Sequence, residues 1–175
     1  SAAFVGLCEV ENASCLRDLC YRLKRFHYKF VHYDSADERG VDVALLYDST
    51  KVKVMNSKPL RVDLEEDKTR DILYVSALIH EQDTLHVMVC HLPSKLGGNA
   101  ASEWKRKAAK QVIHQQVDSI LQVDPKAKIV VMGDMNSDPQ NDLSHLENLM
   151  TDAKRVGQGT HKYQGIWTCL DQFYV

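Results

Sequence analysis

Residues 128–136 read Lys-Ile-Val-Val-Met-Gly-Asp-Met-Asn, an apolar run that ends in a glycine and then in two polar side chains. A short continuous apolar run bounded by a turn signal is typical of a strand buried on both faces. Asp134 and Asn136 therefore lie directly after a predicted buried strand. In a layered α/β fold, such strand ends are where ligand crevices form.

Two more predicted strands end in a polar side chain in the same way. Glu9 closes the apolar run of residues 4–8, and His91 closes residues 85–90. Because strand ends gather at one edge of the fold, we expect these groups to form one cluster with Asp134. Taken singly, Glu9 is typical of a solvated strand end, Asp134 of a turn, and His91 of a hydrogen-bonded core histidine.

The rest of the pattern predicts strands and hairpins with a few helices. Strands are predicted at residues 3–10, 28–33, 41–47, 52–55, 60–62, 72–79, 84–92, 128–133 and 169–175. Helices are predicted at residues 13–25, 101–123 and 143–150, and a Gly-rich loop precedes the last strand. Pro59 and alternating lysines mark residues 52–62 as edge strands, and Trp104 opens the apolar stripe of the long helix. The fold class predicted is α/β (α+β), a layered sandwich.

Composition excludes several classes of protein. The chain has 175 residues with 22 Lys+Arg against 24 Asp+Glu, so it is not a uniformly basic nucleic-acid binder, although a local basic groove remains open. No apolar run approaches the roughly 20 residues that cross a bilayer, and the first residues show no targeting peptide. The chain has no Gly-x-Ser-x-Gly elbow and no His-x-x-x-His pair, which disfavours a serine hydrolase and a zinc site.

The cysteines favour a reducing environment. Five cysteines occur at no zinc-like spacing, and two of them lie inside apolar runs. Buried thiols in such runs behave as small apolar side chains, so we expect all five to be reduced. A cytoplasmic location fits this best, and a secreted form processed upstream of Ser1 stays open.

Six blocks of the chain resemble the endonuclease/exonuclease/phosphatase superfamily, which has the deoxyribonuclease-I-like fold. They occur in the order of that family at residues 6–10, 38–47, 69–73, 91–94, 133–136 and 170–172. The resemblance implies a four-layer α/β/β/α sandwich of two mainly antiparallel sheets with outer helices. It also implies hydrolysis of a phosphate ester with Mg²⁺, for which Mn²⁺ is a possible substitute.

The resemblance also implies a role for each matching residue. Glu9 matches the carboxylate that holds the metal, which suits a cation that prefers oxygen ligands. Asp134 matches the residue that aligns or deprotonates the attacking water. Asn136 matches the residue that hydrogen-bonds the phosphate.

Four further residues match positions around the phosphate. His91 matches the histidine that contacts a phosphoryl oxygen, and Glu38 the acid that supports it as an imidazolium. Arg70 matches an arginine of the phosphate-binding region, where its planar fork can donate twice. Asp171 resembles the aspartate that orients a second, catalytic histidine.

Residues 1–175 are interpreted as a single domain of this family that lacks its first and last strands. In the family pattern, a strand carrying an asparagine comes first and a Ser-Asp-His block comes last. The sequence contains neither. The histidine that Asp171 would orient is therefore outside it.

Three functions remain open on the sequence. The leading hypothesis is a nuclease-like phosphodiesterase whose partner is a nucleic acid, with no protein partner implied. The alternatives are a phosphatase acting on a phosphoinositide, a sphingolipid or a small phosphomonoester, and a non-catalytic binding domain. A nuclease needs a basic track, for which the candidates are Lys95, Arg106, Lys154, Arg155 and Lys162. Tyr163 or Trp167 could stack on a base, with a core position favoured for Trp167.

Overall fold

The computed structural model describes residues 1–65, 67–95 and 98–175, with residues 99 and 100 described by their main chain. The elements in chain order are β1 (Phe4–Val10), α1 (Ala13–Arg22), a 3₁₀ turn (Lys24–Phe26), β2 (Tyr28–His32), β3 (Asp42–Asp48), β4 (Val52–Leu60), β5 (Ile72–Ile79), β6 (Asp83–His91), α2 (Asn99–Val123), β7 (Lys128–Asp134), α3 (Thr151–Arg155), β8 (His161–Tyr163), β9 (Ile166–Thr168) and β10 (Asp171–Tyr174).

The strands form two principal sheets. One has three antiparallel strands in the order β1-β3-β2, and the other has five in the order β10-β7-β6-β5-β4. Within the larger sheet only β6 and β7 are parallel, because the chain crosses over through α2 between them. Strands β8 and β9 form a separate hairpin.

Three apolar clusters show the order of the layers. Leu45, Val75 and Val89 belong to the cluster between the two sheets. Ile113 of α2 packs on the other face of the larger sheet. Leu16 of α1 packs on the outer face of the smaller sheet. Helix, sheet, sheet and helix are therefore stacked, which confirms the predicted fold class.

Two glycines allow the strands that carry the site to approach each other. A Cβ on Gly6 of β1 would lie 2.9 Å from Met132 Sδ, so the glycine lets β1 pack closely on the Met132 side chain of β7. Gly133 has φ +138, a conformation that L side chains rarely adopt, and a Cβ there would collide with the carbonyl oxygen of Cys90. These contacts bring the carboxyl ends of β1, β6 and β7 together.

The predicted helix at residues 143–150 is wrong, because this segment is irregular and α3 begins only at Thr151. The reason is Asn148, which is fully buried. Its amide group donates to Gln140 O and to Gln172 Oε1, and its Oδ1 accepts the main-chain N–H of Met150. Side-chain bonds of this kind compete with helical bonds.

Other boundaries also differ. The two short strands predicted within residues 52–62 are one edge strand, β4, whose pairing with β5 is interrupted between Val54 and Asn56. The first helix ends at Arg22 rather than at residue 25. The edge position that Pro59 predicts is confirmed.

The aromatic residues assigned to the interior are exposed. Trp104 is 49% exposed and Trp167 47% exposed, so the core positions predicted for them are wrong. Trp167 lies on the β8–β9 hairpin, where a loop is predicted. The signal missed is the pair Gln164-Gly165, both with positive φ, which is typical of a two-residue hairpin turn.

All five cysteines lie in the described part of the chain and carry free thiols. Cys90 is fully buried, and the Cys8 thiol donates to its carbonyl oxygen at 3.5 Å. Burial raises the pKa of the Cys8 thiol to about 11, so it is protonated and unreactive at neutral pH. Across the described residues, no helix has the length and apolarity needed to cross a membrane.

Candidate active site

His91, Asp134 and Asp171 form a row across three neighbouring strands. The parallel register of β6 and β7 pairs His91 with Asp134, and the antiparallel register of β10 pairs Asp171 with Asp134. Directly paired residues on neighbouring strands point to the same face. His91 Nε2 and Asp134 Oδ2 are 3.6 Å apart. The structure therefore brings together three of the predicted residues that are distant in sequence.

The row faces the other sheet. Val89 and Met132 precede His91 and Asp134 by two positions, and both belong to the cluster between the sheets. Side chains alternate along a strand, so His91 and Asp134 project to the same side at the open end of that cluster.

Glu9 reaches this edge from the other sheet. It lies on a bulge at the end of β1, where the pairing register shifts between Leu7 and Val10, and its φ is 58°. The left-handed backbone turns this exposed residue out of the regular alternation. The Glu9 carboxylate is close enough to Asp134 to raise the pKa of Asp134.

Asn136 is held beside Asp134 by two hydrogen bonds. Its main-chain N–H donates to Asp134 Oδ1 at 2.8 Å, and its side-chain amide donates to the carbonyl oxygen of Leu92, also at 2.8 Å. The φ of Asn136 is 48°, which asparagine tolerates better than most residues. The Asp-x-Asn turn thus orients both side chains at the end of β7.

Arg70 lies behind the row rather than in it. Its side chain is only 1% exposed. Nε donates to His91 O at 3.0 Å, Nη2 to Leu92 O at 3.4 Å, and Nη1 to Asp37 Oδ2 at 3.1 Å. The guanidinium is therefore directed at the protein, whereas the sequence predicts a substrate phosphate as its partner.

The acid behind the site is Asp37 and not Glu38. Glu38 lies on an exposed turn, and no contact between it and His91 is found in the part of the chain that the structure describes. Asp37 pairs with the buried Arg70, and it is one of two carboxylates, with Asp171, that favour protonation of His91. Adjacent acids cannot be told apart from the sequence, because the turn at residues 37–40 decides which of them points inward.

Burial of His91 favours the neutral imidazole over the imidazolium that the sequence predicts. Burial is the main cause that lowers the pKa of His91 to about 4, followed by the positive charges of Arg70 and Arg39. Its Nδ1 is buried without a hydrogen-bond partner among the described residues. A neutral imidazole in this place can still donate one hydrogen bond.

The pKa of Asp134 is shifted upward, in the opposite direction to that of His91. Burial raises the pKa of Asp134, and the carboxylates of Asp171 and Glu9 raise it further. The main-chain N–H of Asn136 and the charge of Arg70 lower it. A carboxylate with a raised pKa accepts protons more readily, as a general base must.

The carboxylates at this edge are of the ligand type that a hard divalent cation prefers. Glu9, Asp134 and Asp171 provide carboxylate oxygens at one edge, while the nearby buried cation, Arg70, is paired with Asp37. Carboxylate oxygens are the ligands that Mg²⁺ and Mn²⁺ prefer. Burial is the main cause of the raised pKa of Asp134, and an ion would offset the smaller repulsion that Asp171 and Glu9 exert on it.

The β8–β9 hairpin stands next to Asp171. Thr160 Oγ1, at the base of the hairpin, accepts the main-chain N–H groups of Leu170 and Asp171. At the tip, Tyr163 and Trp167 are exposed, and Lys162 Nζ lies 5.4 Å from the centre of the Trp167 ring. The hairpin thus presents an aromatic and cationic surface.

The basic residues considered from the sequence do not form one continuous track. Arg106 is buried and donates to Pro93 O and Ser102 Oγ. Lys154 pairs with Asp138, and Arg155 pairs with Asp152. Lys95 and Lys162 remain at the surface. Among the described residues, Lys95 and Lys162 are therefore the two candidates that are exposed and form no ion pair with a carboxylate.

The stacked layers and this acid–histidine row define a deoxyribonuclease-I-like α/β sandwich. The model of the family described as Endonuclease/Exonuclease/phosphatase family matches residues 1–175. The chain belongs to that family, as the resemblance of the sequence blocks predicts. A comparison with curated protein sequences finds no significant match.

Solved structures share the fold. The human nocturnin catalytic domain with bound sulfate has a TM-score of 0.76 and 18% identity, over 98% of this chain and 68% of that chain. ANGEL2, a 2′,3′-cyclic phosphatase, has a TM-score of 0.66 and 14% identity, over 89% of this chain and 43% of that chain. TDP2 of D. rerio complexed with single strand DNA product has a TM-score of 0.60 and 16% identity, over 98% of this chain and 70% of that chain.

Each of these chains is longer than the part that matches, and this chain spans less than half of ANGEL2. Sequence identities of 14–18% show that the fold is shared and nothing more.

Proposed function

We propose that the chain is a divalent-metal-dependent phosphodiesterase that acts on nucleic acid. The observation that carries this proposal is the row of His91, Asp134 and Asp171 at one sheet edge, with Glu9 and Asn136 beside it. Membership in a family named for nucleases and phosphatases supports the same chemistry.

Asp134 is the proposed base. Its raised pKa and its position at the end of β7 suit a carboxylate that orients water and accepts its proton. The bond from the N–H of Asn136 occupies Oδ1, and it leaves Oδ2 directed toward His91 and the open edge.

Asn136 and His91 are the proposed phosphate contacts. Neutral His91 donates a hydrogen bond to a phosphoryl oxygen from one ring nitrogen, and the Asn136 amide does the same when it releases Leu92 O. Arg70 is a positioning residue, because it holds the His91 and Leu92 carbonyls and touches no open space.

Glu9 is the proposed metal ligand, and Asp134 and Asp171 add negative charge at the same edge. A bound Mg²⁺ would neutralise the negative charge that develops on the phosphate during hydrolysis. The repulsion that Asp171 and Glu9 exert on Asp134 supports this assignment, since it favours uptake of a cation.

A polymeric nucleic acid is favoured over a small phosphate ester by the β8–β9 hairpin. Tyr163 and Trp167 are large aromatic residues exposed on the hairpin whose base bonds the main chain of Asp171, and Lys162 adds a positive charge. A base stacked on such a ring contributes about 1–3 kcal/mol to binding. The DNA product in the similar TDP2 structure supports the same substrate class.

The test is turnover of single-stranded DNA, RNA and a chromogenic phosphodiester with Mg²⁺ or Mn²⁺ and with EDTA. We expect metal-dependent cleavage that Asp134→Asn reduces by more than about 100-fold. Asp138→Asn is a matched control, because Asp138 follows the same strand and pairs with Lys154 at the surface. Full activity of Asp134→Asn, or turnover confined to phosphomonoesters or lipids, would contradict the proposal.

The hairpin is tested separately. Trp167→Ala should raise KM for the nucleic acid by about 5- to 150-fold, which corresponds to the energy of one stacked base, and leave the chromogenic substrate unaffected. Trp104→Ala removes an equally exposed tryptophan from α2 and should change neither. Equal losses on both substrates would show that Trp167 acts on the fold of the site and not on a base.

A further inference from the structure

A second group of potential metal ligands lies at the end of β2, apart from the row described above. One ligand atom each from His32, Asp34 and Asp42 lies within 4.8 Å of the other two. His32 Nε2 is 3.9 Å from Asp42 Oδ2, and His32 Nδ1 is 3.9 Å from Asp34 Oδ1. The three residues come from the last position of β2, the loop after it and the first position of β3.

His32 is the feature that distinguishes this group from an ordinary acidic cluster. Its side chain is only 4% exposed, and its buried Nε2 has no hydrogen-bond partner among the described residues. A buried polar atom without a partner costs about 1–3 kcal/mol. The nitrogen points toward a carboxylate at a distance too long for a hydrogen bond and suited to an ion between the two.

The surroundings are acidic and open on one side. Asp34 is 89% exposed, so an ion can enter from solvent. Asp34 lines a cavity of about 600 Å³ together with three other aspartates, Asp63, Asp67 and Asp71. The positively charged residues in the same lining are Arg61 and Lys68. The excess of carboxylates favours a cation.

We propose that His32, Asp34 and Asp42 bind a divalent transition-metal ion of the zinc class. One imidazole nitrogen and two carboxylates are ligands that Zn²⁺ accepts at about 2.0–2.2 Å, so two ligand atoms can lie up to about 4 Å apart around it. Mg²⁺ is the poorer match, because it prefers oxygen ligands alone. Asp34 Oδ1 is 3.9 Å from His32 Nδ1, so the exposed Asp34 side chain must turn toward Nε2 to complete the set.

The ion would stabilise the segment behind the catalytic row. Asp42 Oδ1 accepts the N–H and the hydroxyl of Ser35, and Ser35 Oγ accepts the N–H of Asp37 at 3.4 Å. Asp37 in turn holds Arg70, which donates to His91 O. The ion is therefore placed to order the chain from residue 34 to the buried ion pair.

The sequence pattern does not predict this site. The spacing His-x-Asp followed by seven residues and an aspartate differs from the helical His-x-x-x-His pattern. The strand end and the loop that doubles back to β3 bring the three residues together, which periodicity does not show.

The test is Zn²⁺ binding by the full chain in an excess of Mg²⁺, which occupies the oxygen ligands of the other site. We expect the chain to retain about one equivalent of Zn²⁺ in equilibrium dialysis, and Co²⁺ to give the visible absorption of a nitrogen–oxygen site. His32→Gln should lose both. Asp34→Asn, at an exposed position that does not threaten folding, should weaken binding by about 10- to 100-fold.

The control is the exposed pair His145 and Asp118, whose Nε2 and Oδ1 lie 3.6 Å apart. His145→Gln should retain the full Zn²⁺ stoichiometry. Equal Zn²⁺ binding by the native chain and by Asp34→Asn and His32→Gln would overturn the proposal, as would no Zn²⁺ at all, which would leave His32 and Asp42 as neighbouring side chains only. The measurement uses no substrate, so its outcome is independent of the phosphodiesterase activity.

Discussion

Arg70 Nε donates a 3.0 Å hydrogen bond to the main-chain carbonyl oxygen of His91. The same guanidinium donates to Leu92 O and pairs with Asp37, so one buried cation connects three stretches of chain. Among them is the end of β6, where His91 meets Asp134. The alignment of His91 with Asp134 therefore depends on a residue that does not belong to their row.

Arg70→Met should destabilise the protein by about 3–5 kcal/mol, because it leaves the carboxylate of Asp37 without its buried partner. Denaturant unfolding measures the loss. Arg39→Met is the control, since Arg39 is half exposed and 3.6 Å from the same carboxylate, and it should cost at most about 1 kcal/mol. Equal losses in the two variants would mean that burial of Arg70 contributes nothing.

Gly133→Ala should disrupt the β6–β7 pairing that places His91 beside Asp134. The added Cβ would collide with Cys90 O, and the φ of +138° is strained for alanine, so we expect a loss of about 3–5 kcal/mol. Gly40 also has a positive φ, +65°, but a Cβ added there would meet no atom within 4 Å. Gly40→Ala should therefore lower the free energy of unfolding by only about 1–2 kcal/mol. The difference in unfolding free energy measures the collision, and similar values would rule it out.

Glu9→Gly should weaken Mg²⁺ binding without destabilising the protein. The left-handed φ of 58° costs a residue with a side chain about 1–2 kcal/mol, which glycine recovers in large part. Thermal unfolding in EDTA should show an equal or higher midpoint, while Mg²⁺ should raise that midpoint less than in the native chain. Glu11, two residues further on, does not have a positive φ, so Glu11→Gly relieves no backbone strain and should lower the unfolding midpoint.

The stability of the metal-free protein should depend on pH through His91. Its pKa is about 4 in the folded state against 6.5 for an ordinary histidine, mainly because of burial. The unfolded chain therefore binds more protons between these values, and the stability that neutral His91 contributes is present above pH 6.5 and lost as pH falls toward 4. Unfolding in EDTA at several pH values should show this slope in the native chain and a shallower one in His91→Gln.

The ring signals of His91 provide an independent check by NMR titration. Arg39→Gln removes one of the positive charges that lower the pKa of His91 and should move the titration upward. A native-chain midpoint near 6.5 would contradict the burial of this histidine.

The pattern of apolar residues was enough to predict most strands and the long helix. Runs such as residues 128–133 are too apolar to lie anywhere but inside, and the stripe of α2 has one buried face. The failures have two local causes. At residues 143–150 the side chain of Asn148 replaces helical hydrogen bonds, and at Trp167 a two-residue turn lifts an apolar ring into solvent.

For the site, the residue types at strand ends were readable in the sequence, because a polar group that closes a buried strand must lie at an edge. Their mutual distances come from strand register, which joins Asp171, Asp134 and His91 from three separate blocks. The fold also brings Asp37, rather than Glu38, into contact with Arg70, and it places His32 near Asp42. A sequence specifies which groups are available, whereas hydrogen-bond register and loop closure set the distances and burial on which charge, metal binding and catalysis depend.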